Sequence, residues 1–275
     1  MRLNILALET SSKHCSVALQ YAAQTPTGEL QIATRLDSSA LSHSRSLLAL
    51  INDVLQEANL SFAELDAIAV ARGPGSFTGL RIGIAVAQGL AFGHQLPILP
   101  ISSLAAVAYN ALTYWQKQAA SMPTVEAVLA TMDARMGEVY CGWYDLRGEL
   151  PVLIGNEHVL KPALLLQAGL PCLQSVESAP VVMLSNHNVS DNDIIGSATP
   201  MTHLATAGEG LHYYAQYPTS LRELLPELSE ELSEELSIQP DAAALLPLAT
   251  RDFNLNLGID PEALSPVYLR NNVTY

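Results

Sequence analysis

Positive charge is scarce in this chain: 13 Lys and Arg stand against 27 Asp and Glu in 275 residues, a formal net charge of −14 at pH 7. A surface of that sign repels phosphates at long range, which argues against unaided binding to nucleic acid. Cysteine is scarcer still. Cys15, Cys141 and Cys172 are odd in number and far apart, giving neither a disulfide framework nor a zinc spacing. Long apolar runs are missing too: although 49% of the chain is hydrophobic, no run approaches the roughly 20 residues of a membrane span. The start, Met1-Arg2-Leu3-Asn4-Ile5-Leu6-Ala7-Leu8, meets Glu9 too early for a secretory leader and reads as a strand. A cytoplasmic location is expected. The seven histidines form no His-x-x-x-His and none sits at ligand spacing from a cysteine, so no metal site is expected. Ser76 lies in Gly75-Ser76-Phe77-Thr78-Gly79 and not in Gly-x-Ser-x-Gly, which speaks against a serine hydrolase.

Small residues, by contrast, are concentrated in one place. Ala71-Arg72-Gly73-Pro74-Gly75-Ser76-Phe77-Thr78-Gly79-Leu80-Arg81-Ile82-Gly83 follows an apolar run and opens a helix. It has the look of a phosphate loop, but Leu80-Arg81 stands where a Walker loop needs Lys-Ser/Thr. Gly75, Gly79, Gly83, Ala87 and Ala91 recur every four residues and so share one helix face. Gly inside a helix costs on the order of 1 kcal/mol against Ala, so the ladder calls for a close neighbour. Two neighbours are open: a helix of a partner, or the protein's own sheet. The first reading makes Leu47, Ile51, Gly75, Gly79, Gly83 and Ala87 a candidate partner interface.

The hydrophobic pattern predicts strands at Leu3–Thr10, Cys15–Tyr21 and Leu30–Arg35. An amphipathic helix follows, with Leu47, Leu48, Ile51, Val54, Leu55 and Ala58 on one stripe. Leu65–Ala71 is a strand, the ladder helix reaches about Gly93, Pro97–Ile101 is a strand, and Ser102 or Ser103 caps a helix to about Gln118. This βββαβαβα order is that of actin-like, ribonuclease-H-like α/β folds, by analogy. A second unit starts at Thr124, with strands at Val125–Met132 and Glu138–Tyr144, a less distinct one within Glu149–Leu160, and a short helix at Lys161–Ala168. Val181–Leu184 reads as a strand, Ser185–Thr199 as loop, and Met201–Gln216 and Asp241–Asp252 as helices. Between the last two lies Leu224–Ser237, where Leu-Ser-Glu-Glu repeats from Leu228 to Glu235. It is best read as a solvated acidic insertion.

Two turns are candidate sites. Glu9-Thr10-Ser11 sits where an actin-like ATPase holds its first phosphate loop, but it lacks the glycine that lets backbone approach phosphate, so a plain hairpin turn is favoured. Asp133-Ala134-Arg135-Met136-Gly137-Glu138 lies where the second loop would be. Asp133 and Arg135 lining an inter-domain cleft, and a simple turn held by Asp133 with Gly137 at positive φ, are equally open.

Ile5-Leu6-Ala7-Leu8-Glu9-Thr10-Ser11, the Gly73–Gly83 stretch, Asp133–Tyr140 and Pro266-Val267-Tyr268-Leu269-Arg270-Asn271-Asn272-Val273 together resemble the bacterial TsaB (YeaZ) family. Positions 1–165 and 241–275 carry the likeness; about 170–240 does not, and Glu9 replaces an Asp common in relatives. The resemblance implies an actin-like ASKHA fold of two βββαβαβα-type domains. These are 1–120 and 121–275, the second with the acidic insertion and a C-terminal segment that packs back on the first. It implies a part in making N6-threonylcarbamoyladenosine at position 37 of tRNAs reading ANN codons. In that role the chain is a non-catalytic partner heterodimerising with the transferase TsaD, the ATPase TsaE joins the complex, and tRNA is reached only through it. No cofactor is implied; nucleotide binding in the assembled complex, and self-pairing when TsaD is absent, stay open. The paralogue's metal-binding His-x-x-x-His falls on Ser103 and Val107, which are not ligands. The alternative is a weak actin-like ATPase or an M22-type peptidase.

Overall fold

Ile-Leu-Ala-Leu-Glu runs without polar alternation because β1 (Ile5–Glu9) is covered on both faces. In the computed structural model, which describes residues 3–23, 29–38, 43–118, 124–171, 201, 203–226 and 229–270, β1 is the middle of a five-stranded sheet. β2 (Cys15–Ala22) and β3 (Leu30–Asp37) join on one side by antiparallel pairing. β4 (Ala67–Gly73) and β5 (Ile98–Ser102) join in parallel on the other, giving the order β3-β2-β1-β4-β5. Parallel strands need crossovers, and α1 (His43–Ala58) and α2 (Phe77–His94) lie on one face of the sheet. Their Leu47, Ile51, Val54, Ile84 and Ala87 share a core with Leu6, Leu8, Val17 and Val70. α2 begins at Ser76, whose hydroxyl accepts from the Gly79 amide at 3.3 Å, and stops at Gln95 in the left-handed region.

α3 (Ser103–Gln118) is started by Ser102, which accepts from the amides of Leu104 and Ala105 at 3.1 and 3.3 Å. It lies between the first sheet and a second one. Ala106 joins the core of the first, while Leu104, Val107, Ala108 and Trp115 pack with Val128, Ala130 and Met132 of the second. That sheet has the order β8-β7-β6-β9, from β6 (Ala127–Arg135), β7 (Glu138–Asp145), β8 (Val152–Leu160) and β9 (Leu204–Ala207), with β9 parallel to β6. The short helix expected after β8 is a 3-10 helix, Pro162–Ala168.

Three expectations change. The helix expected over Met201–Gln216 is instead β9 followed by a 3-10 helix, Glu209–Gln216. Four apolar or small residues suit either state by periodicity; pairing with β6 and the positive φ of Gly208 decide it. Among the described residues the second unit also shows fewer elements than a full βββαβαβα repeat. Among the described residues it has no counterpart of β5, and only the short α4 (Thr219–Arg222) and α5 (Glu230–Glu235) follow its last 3-10 helix. The chain then returns to the first lobe. α6 (Ala242–Asn254), capped by Asp241, which accepts from the Ala244 amide at 2.9 Å, buries Leu245, Leu246 and Leu248 against Ala7, Ala18, Ala69 and Leu99. Ile259 bridges to Ile98, and the Val267 amide donates to the Arg72 carbonyl at 2.8 Å. By packing, this stretch belongs with residues 1–118, not with the second lobe. The strand and loop expected at Val181–Leu184 and Ser185–Thr199, and Cys172, lie outside the described residues.

The third change concerns the glycine ladder, which faces inward. Gly79, Gly83, Ala87 and Ala91 are buried, as are Leu47 and Ile51. A Cβ at Gly79 would overlap the Thr10 carbonyl oxygen, one at Gly83 the Thr10 hydroxyl, and one at Gly75 the Ser11 carbonyl. Of the two neighbours open from sequence, the ladder has the protein's own first strand and loop, so these residues are not an outer interface.

Candidate functional site

The turn after β1, Ser11-Ser12-Lys13-His14, and the β6–β7 turn face each other across the lobes, and the β4–α2 connection at Gly75-Ser76 lies beside them. Together they enclose a cavity of about 600 Å³ whose lining includes Ser11, Lys13, His14, Phe77, Asp133, Arg135, Tyr140, Glu209 and Arg270. The two strand ends bring Ser11, Asp133 and Arg135 together here. Asp133 also holds its own turn: its carboxylate accepts from the Arg135 amide at 2.8 Å and pairs with the Arg135 guanidinium at 3.1 Å. Arg135, Met136 and Gly137 run through the left-handed region with φ of 62°, 57° and 71°.

Glu9 and Thr10 do not reach the cavity. Glu9 is fully enclosed; one oxygen accepts from the Ser11 amide and the other has no partner among the described residues. Burial pushes its carboxyl up to about 7, against the lowering effect of its bonds to Ser11. The Thr10 hydroxyl donates to the Gly79 carbonyl at 2.8 Å, fastening loop to helix.

Sequence reasoning missed the residues that link the lobes. Lys13 pairs with Glu209 at 2.8 Å. Arg270 donates to the Ala134 carbonyl at 3.2 Å and to the Glu138 carboxylate. Within the first lobe, Tyr268 accepts from Arg81 at 3.2 Å and its ring lies tilted against Phe77 at 5.5 Å, with the Arg81 guanidinium over the Phe77 ring at 3.8 Å. The available signal was the final stretch Pro266–Arg270, already singled out as a motif; nothing local marks Glu209 as the mate of Lys13.

Chemically the cavity is balanced. Each of its cations, Lys13, Arg135 and Arg270, is paired with a carboxylate, so a polyphosphate would have to displace Glu209, Asp133 and Glu138. The described thiols, Cys15 and Cys141, are buried and pushed up to about 12, out of range for nucleophiles. Val107 is buried in the core that α3 shares with the second sheet, and Ser103 is fully buried at the start of α3. Among the described residues no group of three or more His, Cys, Asp or Glu is placed to hold a metal, and no helix is long and apolar enough to cross a membrane.

The opposite face of α2 is open. Arg81, Ala85, Gly89 and Gly93 are exposed there, and Phe92 keeps 69% of its surface in solvent. A Cβ at Gly89 or Gly93 would meet nothing within 4 Å. This second small-residue stripe is offset from the buried ladder by two positions.

A family model described as "TsaD: tRNA N6-adenosine threonylcarbamoyltransferase" matches residues 37–272. A Haemophilus influenzae protein named "tRNA threonylcarbamoyladenosine biosynthesis protein TsaB" is 44% identical over 139 residues, 50% of this chain and 52% of that protein. The Escherichia coli protein of the same name is 32% identical over 275 residues, 99% of this chain and 97% of its own. Among solved structures, "YeaZ from Pseudomonas aeruginosa" superposes with a TM-score of 0.68 at 32% identity, covering 97% of this chain and 100% of that one.

Proposed function

The chain belongs to the TsaB (YeaZ) family and has its actin-like fold, and we propose that it supports N6-threonylcarbamoyladenosine formation at position 37 of tRNAs reading ANN codons as a non-catalytic partner of TsaD. The observation that carries this reading is the open outer face of α2, where Phe92 stands exposed beside Ala85, Gly89 and Gly93. Small residues let a second helix approach closely, and the aromatic ring supplies area to bury on docking. TsaD docks on that face; TsaE joins the assembled complex, and tRNA is engaged through the complex because this chain is too acidic to attract it alone. The whole assembly works in the cytoplasm. The ATPase alternative has little support, since Glu9 is walled off from the cleft and the cavity's cations are already paired.

Mixing the protein with its cognate TsaD and measuring complex mass tests the pairing. Gly89→Leu places a branched side chain at the closest approach, where overpacking of about 1–3 kcal/mol weakens association roughly tenfold to a hundredfold. The expected result is that loss with a melting temperature no lower than the parent's, and with reduced modification in a reconstituted reaction. An intact complex in Gly89→Leu and in Phe92→Ala would move the interface elsewhere. Full modification without this protein would reject the role.

A further inference from the structure

A second cavity, of about 190 Å³, lies between the lobes and shares no lining residue with the larger cleft. It sits at the carboxyl ends of β4 and β5, where open α/β sheets commonly hold ligands. Two bulges bring opposite charges to it. Between Ala71↔Ile101 and Gly73↔Ser102, β4 advances two residues while β5 advances one, so Arg72 is the extra residue. Between Cys141↔His158 and Trp143↔Ile154, β7 advances two residues while β8 advances four. Glu157 lies in that bulge, which Gly155 begins at a φ of 74°. Bulges re-aim side chains, and Arg72 and Glu157 both line the cavity. The Arg72 guanidinium pairs with no carboxylate among the described residues, and its Nε is buried without a hydrogen-bond partner. One Glu157 oxygen accepts from Ser102 and Tyr144, while the other takes no hydrogen bond from the described residues. Arg251, which also lines the cavity, is by contrast tied to Asp252 at 2.7 Å.

A buried donor without an acceptor is costly, so this one calls for an occupant. We propose that the cavity binds a small free amino acid, with its carboxylate on Arg72, its ammonium on Glu157 and its carbon body against the apolar wall. Charge selects that class. A guanidinium holds a carboxylate strongly, and a carboxylate with a spare oxygen accepts from an ammonium. A zwitterion meets both needs and leaves the net charge of the cavity unchanged. A bare anion would lie against Glu157 and Asp252, and a bare cation against Arg72. Size agrees, since the volume is that of about six waters, too little for a nucleotide. The wall is Ile101, Ala105 and Leu248, with Val152 and Leu153 left 59% and 40% exposed beside them. A short aliphatic side chain would cover these two. No residue of α2 lines the cavity, so the proposal stands or falls independently of TsaD docking.

Isothermal titration of the full chain tests this with L-alanine, L-valine and L-leucine, and with propionate and propylamine as the two half-ligands. At least one of the amino acids should bind, one per chain, about tenfold or more tightly than either half-ligand, since each half leaves one charge unmet. Glu157→Gln keeps an acceptor for Ser102 and Tyr144 but loses the charge. Arg72→Met loses the guanidinium and keeps the backbone bond to Val267. Each should weaken binding about tenfold or more. Because the Arg72 side chain has no partner to lose, Arg72→Met should melt no lower than the parent, which a purely structural role would not allow. Leu153→Trp fills the cavity, leaves both charged groups in place and should block binding. No heat from any of the three amino acids, or either half-ligand binding as tightly as they do, would overturn the proposal. Unchanged binding in Arg72→Met or Leu153→Trp would overturn it too, as would a lower melting temperature in Arg72→Met, which would make Arg72 a support of the fold.

Discussion

A carboxyl enclosed without a cation beside it holds its proton tightly, and Glu9 is such a group. Its burial moves it from 4.5 to about 7, with nearby Asp241 adding to the rise. Because the folded value lies above the unfolded one, the stabilisation is fully present below about 4.5 and is lost as pH rises through about 7. The span corresponds to at most ~3 kcal/mol. Glu9→Gln keeps an acceptor for the Ser11 amide and removes the charge. Its melting temperature should exceed the parent's at pH 8, by several degrees, with the gap closing towards pH 4.5. A pH series of melting curves checks this; a constant gap from pH 5 to 8 would mean that Glu9 does not titrate there. The sequence placed Glu9 at the cleft because it ends a strand that points there. Alternation stops at the strand end: Glu9 and Thr10 are both enclosed, and Ser11, in the turn beyond β1, is the first residue to reach the cavity.

Within α2 the two faces make opposite demands on glycine. Gly79→Ala drives a methyl into the Thr10 carbonyl and should cost about 1–3 kcal/mol, or several degrees of melting temperature for a chain of this size. Gly89→Ala adds its methyl in open space and should stabilise by about 0.4–1 kcal/mol through reduced freedom of the unfolded chain. Chemical denaturation of the two variants separates them; equal losses would mean that the faces are not as described. Periodicity found this helix and the ladder but could not choose its neighbour, since a close strand and a close helix both demand small residues four apart. The same limit explains β9: Leu-Ala-Thr-Ala is too short for its period to show. Long, strongly patterned elements such as β1, β2, α1 and α3 were legible because their buried positions repeat over two turns or several strand steps. In the site, the turn residues Ser11, Asp133 and Arg135 were legible because strand ends place them. Lys13–Glu209 and Arg270–Glu138 were not, because long-range ion pairs leave no local pattern.

Across the whole molecule, contacts between the lobes come from both sides of the cleft. On one side Ser102, at the start of α3, donates to Glu157 of β8, which also accepts from Tyr144 at 2.6 Å. On the other, the final residues form a strap. Gln88 of α2 donates to the Pro261 and Leu264 carbonyls at 2.9 and 3.1 Å, Val267 bonds Arg72, and Arg270 crosses to the β6–β7 turn. The strap therefore ties a helix of the first lobe to a turn of the second, with Arg270 as its last link. A partner that grips α2 would find the second lobe held in one orientation by this strap. Arg270→Ala removes a charge-assisted bond and the Ala134 contact, which should cost about 1–3 kcal/mol. The loss should be local: amide exchange should quicken in the turn at 133–138, while β1 and β4, buried beneath two layers, keep their protection. Hydrogen-exchange mass spectrometry of parent and variant measures both regions at once. Unchanged exchange at 133–138 would show that the strap does not hold the second lobe, and uniform quickening in both lobes would show that Arg270 supports the entire fold and not the angle between its halves.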